Sequence, residues 1–145
     1  MTNRAEKRRQ AKLAQKQKPA GTRASAAPAG AIPDSHAARL REGLALHQAG
    51  RLTEADLCYR QVRDAQPNNA DAHHLSGLIA HQLGRPDDAI ALMTQALRLA
   101  PDTPAYHNNL GLALQGRGRE GDAIAHYRRA LELQPGFADA QCNLG

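Results

Sequence analysis

Apolar and polar positions between residues 36 and 145 recur with a period of 34 residues. Divided into rows of that length, the sequence gives full rows at 36–69, 70–103 and 104–137, and an incomplete row at 138–145. We number the positions within a row as columns 1 to 34. Columns 9, 24, 27, 28 and 30 carry mostly apolar residues at helical spacing. The pattern predicts a tandem array of helical units, each of which buries one apolar stripe against its neighbours.

Glycine and proline divide each row into two helices. Column 15 is glycine in every full row, which suits the left-handed residue that ends a helix. Column 32 is proline, which cannot continue a helical hydrogen-bond ladder, and column 19 is acidic, which favours the start of a helix. We therefore expect a first helix over columns 1–14 and a second helix over columns 18–31. The prolines of column 32 are Pro67, Pro101 and Pro135.

Small residues inside both predicted helices indicate a close crossing between helices. Column 8 is glycine, which destabilises a helix by about 1 kcal/mol relative to alanine, and column 20 is alanine. Glycine at the same column of every row implies that a neighbouring helix passes too close for a side chain, whereas column 24 is always large. These structural positions are Gly43, Gly77 and Gly111 (column 8), Ala55, Ala89 and Ala123 (column 20), and Tyr59, Met93 and Tyr127 (column 24).

The rows resemble the tetratricopeptide repeat, whose pattern places Leu-Gly in the first helix and Ala, an aromatic residue and Pro in the second. Row three matches this pattern best, with Leu110-Gly111, Ala123, Tyr127 and Pro135. The rows depart from this pattern at two columns. Column 4, the family's Trp position, holds Arg39, His73 and His107. Column 7, the family's Leu position, holds Glu42 in row one and Ser76 in row two. The resemblance implies an all-α, right-handed solenoid of three helix-turn-helix repeats plus the start of a fourth.

Residues 1–33 differ from the rows in composition and charge. Residues 1–23 carry eight Lys or Arg and the single acid Glu6, whereas the rest of the chain carries 11 basic and 13 acidic residues. The positive charge therefore belongs to the N-terminal segment. A Pro/Ala/Gly/Ser stretch follows over residues 19–33, and it is typical of a linker. We expect residues 1–33 to be a disordered basic tail with a linker, and residues 34–145 to be the repeat region.

The basic tail contains no aromatic residue for stacking on bases and has no amphipathic face. We therefore expect it to increase solubility rather than to bind nucleic acid or an anionic membrane surface. No long apolar run follows the basic N-terminus, which argues against a secretory signal and against a transmembrane segment. We expect a cytoplasmic protein.

Motifs for catalysis are absent from the sequence, which has no Gly-rich phosphate loop, nucleophile elbow or paired-cysteine motif. Four of its seven histidines share columns in neighbouring rows, His47 with His81 and His73 with His107. Equivalent columns lie roughly 10 Å apart in packed helices, whereas metal ligands must converge on one ion. The two cysteines, Cys58 and Cys142, lie 84 positions apart and are expected to be reduced thiols. We expect no enzyme activity, cofactor or metal within this segment.

Asparagines in the first helices carry the strongest functional signal, because Asn is a poor helix former. Asn109 and Asn143 share column 6 and precede Leu-Gly, and Asn108 lies beside them. They resemble the asparagine ladder of the O-linked N-acetylglucosamine transferase family, in which amides grip the backbone of an extended peptide. An amide suits that role because it both donates and accepts hydrogen bonds. Asn is also common at this column in such repeats generally, so both interpretations stay open.

The family resemblance implies that the first helices line a concave surface that binds peptides. The candidate peptide-binding residues on that surface are His74, Leu78, His81, Asn108, Asn109, Leu112, Gln115 and Asn143. Repeats of this family that clamp a chaperone's C-terminal carboxylates use Lys, Asn and Arg on their first helices. The rows here contain no lysine, which disfavours that ligand.

The leading hypothesis is a non-catalytic scaffold that binds a protein or peptide, either an extended segment or a partner helix. The alternative is the N-terminal substrate-docking arm of a larger transferase, similar to O-linked N-acetylglucosamine transferase, whose catalytic domain would lie beyond residue 145. A weaker third hypothesis is a nucleic-acid adaptor that works through the tail. Gly145 falls at column 8, in the middle of a predicted helix. We therefore expect either a longer protein or self-association through the open C-terminal end.

Overall fold

The computed structural model describes the backbone of residues 31–145 and the side chains of residues 35–145. Within that part of the chain the structure consists of seven α-helices joined by short turns, without a strand. The helices are α1 (Ala31–Gln48), α2 (Leu52–Ala65), α3 (Ala70–Gln82), α4 (Pro86–Leu99), α5 (Pro104–Gly116), α6 (Glu120–Leu133) and α7 (Ala138–Leu144). Residues 39–145 form one compact unit, and the start of α1 belongs to a separate unit that ends at Ala38. No described helix is long and apolar enough to cross a bilayer.

The predicted helix pairs are confirmed, with boundaries shifted by one residue. First helices end at column 13 and second helices occupy columns 17–30 in every full row. The second helix starts early because the residue of column 16, always arginine, takes the cap position and leaves column 17 as the first helical residue. That arginine forms an exposed ion pair with the acid of column 19, as in Arg119–Asp122 at 2.8 Å.

Helix α1 begins at Ala31, so the last three residues of the predicted linker, residues 31–33, are helical. Proline is tolerated in the first turn of a helix, where its missing N–H would have no intrahelical partner, and Pro33 falls in that turn. Residues 1–30, and with them the rest of the predicted tail, lie outside the described residues.

Glycine ends each first helix in the predicted conformation. Gly50, Gly84 and Gly118 have φ of 79°, 76° and 76°, in the left-handed region that side chains disfavour. Each second helix then ends two residues before the proline of column 32. These two signals fix the helix-turn-helix geometry, because one sets the turn within a repeat and the other sets the turn between repeats.

The glycines of column 8 lie where the two helices of a repeat cross. A Cβ atom on Gly111 would meet Cε1 of Tyr127 at 2.5 Å, and a Cβ on Gly43 would meet the same atom of Tyr59 at the same distance. Both tyrosines are almost fully buried. The predicted close crossing is confirmed, and the partner of each glycine is the large residue of column 24 in its own repeat.

The core runs along the array between first and second helices. Columns 20, 24 and 27 are buried in every full row, and column 27 holds Val62, Ala96 and Ala130 at 0 % exposure. Column 9 is buried only in part: Leu44 is 39 % exposed, whereas Leu78 and Leu112 are half-buried and pack against the core. The first helices also supply buried apolar residues, among them Ile79 and Leu110. Both cysteines are free thiols, as expected.

Candidate functional site: the surface of the first helices

First helices of successive repeats approach one another directly, α3 with α5 and α5 with α7. Side-chain hydrogen bonds join them at a constant separation of 35 residues, one more than the repeat period. Nδ2 of Asn109 lies 3.1 Å from Nε2 of His74, and Nδ2 of Asn143 donates to Oδ1 of Asn108 at 2.8 Å. The separation of 35 means that each first helix is offset by one residue along its axis relative to the preceding one. Column 5 of one repeat therefore pairs with column 6 of the next.

The predicted asparagines form one bonded network with a histidine. Nδ2 of Asn108 also donates to Oδ1 of Asn109 at 3.4 Å, which joins the two interhelical bonds into a chain. Asn108 is 3 % exposed and His74 is 7 % exposed. Part of the amide hydrogen-bonding capacity is therefore used between helices. A role of these amides in holding a peptide stays a prediction.

His74 lies in the most desolvated part of this network. Its ring stacks on Tyr106, with centroids 4.3 Å apart and planes at 25°, and the Tyr106 hydroxyl donates to Asp71. Burial lowers the pKa of His74 to about 4, an effect that the nearby Asp71 opposes. Burial also raises the pKa of Tyr106, and the hydrogen bond to Asp71 adds to that shift. His74 is thus a neutral imidazole near pH 7, and it serves as a packing and hydrogen-bonding group.

Other predicted site residues remain accessible on the same surface. Leu78, Leu112 and His81 are half-buried, Gln115 is exposed, and Asn109 and Asn143 are half-buried. Leu78 and Leu112 share column 9, while His81 and Gln115 share column 12. The structure therefore divides the eight predicted residues into two groups. His74 and Asn108 form a buried base, and the other six line the accessible surface above it.

Row one extends both columns along the array. Leu44 occupies column 9 and is exposed, and His47 occupies column 12, where its Nε2 lies 2.8 Å from Oε1 of Gln82. The surface thus carries one line of leucines and one line of hydrogen-bonding side chains across three successive first helices. We call it the first-helix surface, consisting of Leu44, His47, Leu78, His81, Leu112 and Gln115 together with Asn109 and Asn143.

The residues at column 4 have a structural role that sequence reasoning missed. Nε2 of His73 pairs with the carbonyl of Pro67 and Nε2 of His107 with that of Pro101, both at 2.8 Å. Gln141 donates to the carbonyl of Pro135 at the same distance. These contacts repeat at a separation of six residues, between column 4 and the proline that closes the preceding repeat. His73 and His107 therefore replace the family's Trp with a hydrogen bond that fixes the turn between repeats.

One further histidine pair links the two helices of row three. Nδ1 of His107 lies 3.1 Å from Nδ1 of His126, and the rings stack with centroids 5.3 Å apart. Because Nε2 of His107 donates to a carbonyl, its Nδ1 accepts from His126. Burial and the neighbouring His107 lower the pKa of His126. Among residues 35–145, no group of three or more His, Cys, Asp or Glu is arranged to hold a metal ion.

Comparison with known proteins agrees with this architecture. Among solved structures, the first tetratricopeptide domain of human RPAP3 is 23% identical, with a TM-score of 0.73 over 75% of this chain and 86% of that chain. The first tetratricopeptide domain of Spaghetti (RPAP3) bound to an HSP90 peptide gives the same values. At under 25% identity these two matches show the fold alone. Thermobaculum terrenum O-GlcNAc transferase is 28% identical, with a TM-score of 0.76 over 77% of this chain but only 22% of that chain.

A search of curated protein sequences gave no match. The family model for the tetratricopeptide repeat matches residues 20–70, 57–104 and 82–138. These segments overlap and together span most of the chain, including all three full rows of the 34-residue period. The chain belongs to the tetratricopeptide repeat family.

Proposed function

We propose that this chain is a non-catalytic interaction scaffold that binds an extended peptide, or a partner helix, along the first-helix surface. The observation that carries the proposal is the pair of parallel columns on that surface. The leucines of column 9 can take up apolar side chains, and His81 and Gln115 of column 12 offer donors and acceptors to a peptide backbone. The solved structure of Spaghetti (RPAP3) with an HSP90 peptide shows that a domain of this fold binds peptides.

The dimensions of the surface set the length of the ligand. Neighbouring packed helices lie about 8–10 Å apart, so three first helices span roughly 20 Å. An extended chain advances about 3.3 Å per residue, which gives a ligand of about six or seven residues. One ligand side chain in three would then contact a column 9 leucine. An acidic C-terminal peptide is not the proposed ligand, because the rows carry no lysine.

A peptide-display library of seven random residues provides the test, with the full chain as bait. The affinity of a selected peptide is then measured by fluorescence polarisation for wild type, His81→Ala and a control, Arg98→Ala. The His81 side chain is half-buried and forms no hydrogen bond among the described residues, so its replacement should leave the fold intact. Arg98 is exposed on the second helix α4. We expect His81→Ala to weaken binding several-fold and Arg98→Ala to leave it unchanged. Equal affinities for all three proteins would contradict the proposal.

Asn109→Ala measures how far the amide network also contributes to stability. The substitution removes the contact with His74 and the acceptor for Asn108, so we expect the free energy of unfolding to fall by about 1 kcal/mol. If Asn109 also contacts the peptide, affinity falls by more than the change in folded population explains. Urea denaturation and binding measured on one preparation separate the two effects. An unchanged affinity would assign Asn109 a structural role alone.

The second candidate function is that of a substrate-docking arm of a larger transferase. Two observations favour it: the Asn-Leu-Gly sequences at Asn109 and Asn143, and the similarity to 22% of the O-GlcNAc transferase chain. In that case the same surface would hold the substrate, and a catalytic domain would follow residue 145. Sequencing the gene beyond codon 145 tests this candidate. A stop codon there would exclude it and leave the scaffold proposal intact.

A further inference from the structure

A second candidate site lies between helices and shares no residue with the first-helix surface. A cavity of about 340 Å³ opens between the second helices α2 and α4, with the helix α3 beneath it. This volume lies at the lower end of the range of small-molecule sites. Its walls carry three arginines, Arg60, Arg63 and Arg85, together with Asp56 and Asp88.

Two of the three arginines are already paired with the two acids. Arg60 donates to Asp56 at 2.8 Å, and Arg85 lies 3.8 Å from Asp88. Arg63 forms no ion pair among the described residues, and its Nε is buried without a hydrogen-bond partner there. The cavity therefore carries one surplus positive charge, on a half-buried guanidinium.

The floor of the cavity contains a second polar group without a partner. Ser76 is 1 % exposed, lines the cavity, and its hydroxyl has no hydrogen-bond partner among the described residues. Ser76 occupies column 7, where the family pattern has leucine. A buried hydroxyl that lacks a hydrogen-bond partner destabilises a protein, so serine is a poor choice for packing the core alone.

The equivalent cavity one repeat further on shows which lining residues the helix packing requires. An equivalent cavity of about 250 Å³ lies one period further on, between α4 and α6. There Leu110 stands in place of Ser76 and Thr94 in place of Arg60, and the core residue Leu97 stands in place of Arg63. The second cavity keeps an Arg–Asp ion pair, Arg119 with Asp122, at the positions of Arg85 and Asp88. Arg60, Arg63 and Ser76 are particular to the first cavity, and the same helix crossing forms without them.

We propose that the cavity between α2 and α4 binds a small organic anion that carries a carboxylate or phosphate group. The unpaired guanidinium of Arg63 holds the anionic oxygens, since a guanidinium donates two parallel hydrogen bonds to such a group. The Ser76 hydroxyl is the further donor at the floor. The remaining walls, which include Ala80 and Leu92, contact the apolar part of the ligand. The site is separate from the proposed peptide surface and does not depend on it.

The test uses the full chain with four probes: phenyl phosphate, benzoate, inorganic phosphate and acetate, each at constant ionic strength. Calorimetry gives affinities, and amide NMR shifts give the location. We expect phenyl phosphate to bind more tightly than inorganic phosphate, or benzoate to bind more tightly than acetate. The amide NMR shifts should change at Ala80 and Ala91 in the cavity wall. Tighter binding of phenyl phosphate identifies phosphate as the head group, and tighter binding of benzoate identifies carboxylate.

Two variants and a control decide the assignment. Arg63→Gln removes the unpaired charge and is expected to weaken binding at least about tenfold. Ser76→Leu fills the floor as Leu110 does in the next repeat, and it should abolish binding while the protein stays folded. Arg128→Gln removes the charge of an exposed arginine on α6 and should leave affinity unchanged.

Three results would overturn the proposal. The first is that none of the four probes binds at about 10 mM, which corresponds to under 3 kcal/mol of affinity. The second is an equal loss of probe affinity in Arg63→Gln and Arg128→Gln, and the third is a set of amide NMR shifts confined to the first-helix surface. If Ser76→Leu does not fold, the comparison of Arg63→Gln with Arg128→Gln still decides between a built site and general attraction to arginines.

Discussion

Adding one methyl group at Gly111 tests the helix crossing on which every repeat depends. A Cβ atom there would lie 2.5, 2.8 and 3.0 Å from three ring atoms of Tyr127. The ring cannot move aside easily, because Tyr127 is 1 % exposed and its hydroxyl donates to Gln115 at 2.8 Å. Gly111→Ala therefore forces a shift of one helix against the other.

The expected loss of stability follows from two opposing effects. Alanine stabilises a helix interior by about 1 kcal/mol relative to glycine, whereas overpacking a core destabilises it by about 1–3 kcal/mol. Contacts this short with a restrained ring place the overpacking effect at the upper end of its range. We expect the free energy of unfolding of Gly111→Ala to fall by about 1–2 kcal/mol.

Urea denaturation followed by circular dichroism measures this change, and Gly121→Ala is the matched control. Gly121 lies in the first turn of α6 with ordinary φ, and a Cβ atom there would meet nothing within 4 Å. The control should therefore be more stable than wild type, by up to about 1 kcal/mol. If Gly111→Ala were as stable as Gly121→Ala, the described crossing of α5 and α6 would be incorrect.

Three further changes test other parts of the structure, each by urea denaturation. Ala89→Leu should cost about 1–3 kcal/mol, because Ala89 is fully buried at the crossing of α3 and α4; an unchanged midpoint would refute that packing. His107→Leu removes the donor to the carbonyl of Pro101 and should lower the free energy of unfolding by about 1 kcal/mol more than His107→Gln does. Glutamine can keep this hydrogen bond, because Gln141 donates to the carbonyl of Pro135 in the same way. Equal losses of stability in the two variants would refute the role of this bond. Because the pKa of His74 falls to about 4 on folding, the unfolded state binds more protons below about pH 6.5. Stability should decline by about 2 kcal/mol between pH 7 and pH 5, and the decline should be smaller in His74→Gln; parallel pH profiles would contradict it.

The repeat architecture could be predicted from the sequence because single residues determine it. The glycines of columns 8 and 15 and the proline of column 32 each act through local backbone geometry, and they recur at a fixed period. Helix boundaries were one residue off, since the cap role of the column 16 arginine depends on backbone angles that its side chain does not signal.

Contacts between repeats were harder to predict. The pairing of His74 with Asn109 depends on a one-residue offset between neighbouring first helices, and no residue pattern within one row encodes that offset. The hydrogen bond between His73 and Pro67 was not predicted, although their six-residue separation can be counted in the sequence. The family pattern has Trp at the position of His73 and therefore does not indicate a hydrogen bond there. Burial of Asn108 follows from the same offset, which is why a candidate ligand-binding amide lies at the base of the surface.

Location of a bound peptide on the protein is the most direct test of the proposed function. The measurement is the change in amide NMR shifts when a peptide selected from the seven-residue library is added to the labelled full chain. Our account predicts that the largest changes follow columns 9 and 12 of α3 and α5, at Leu78, His81, Leu112 and Gln115. Changes concentrated on the second helices α4 and α6, with none along these columns, would contradict it.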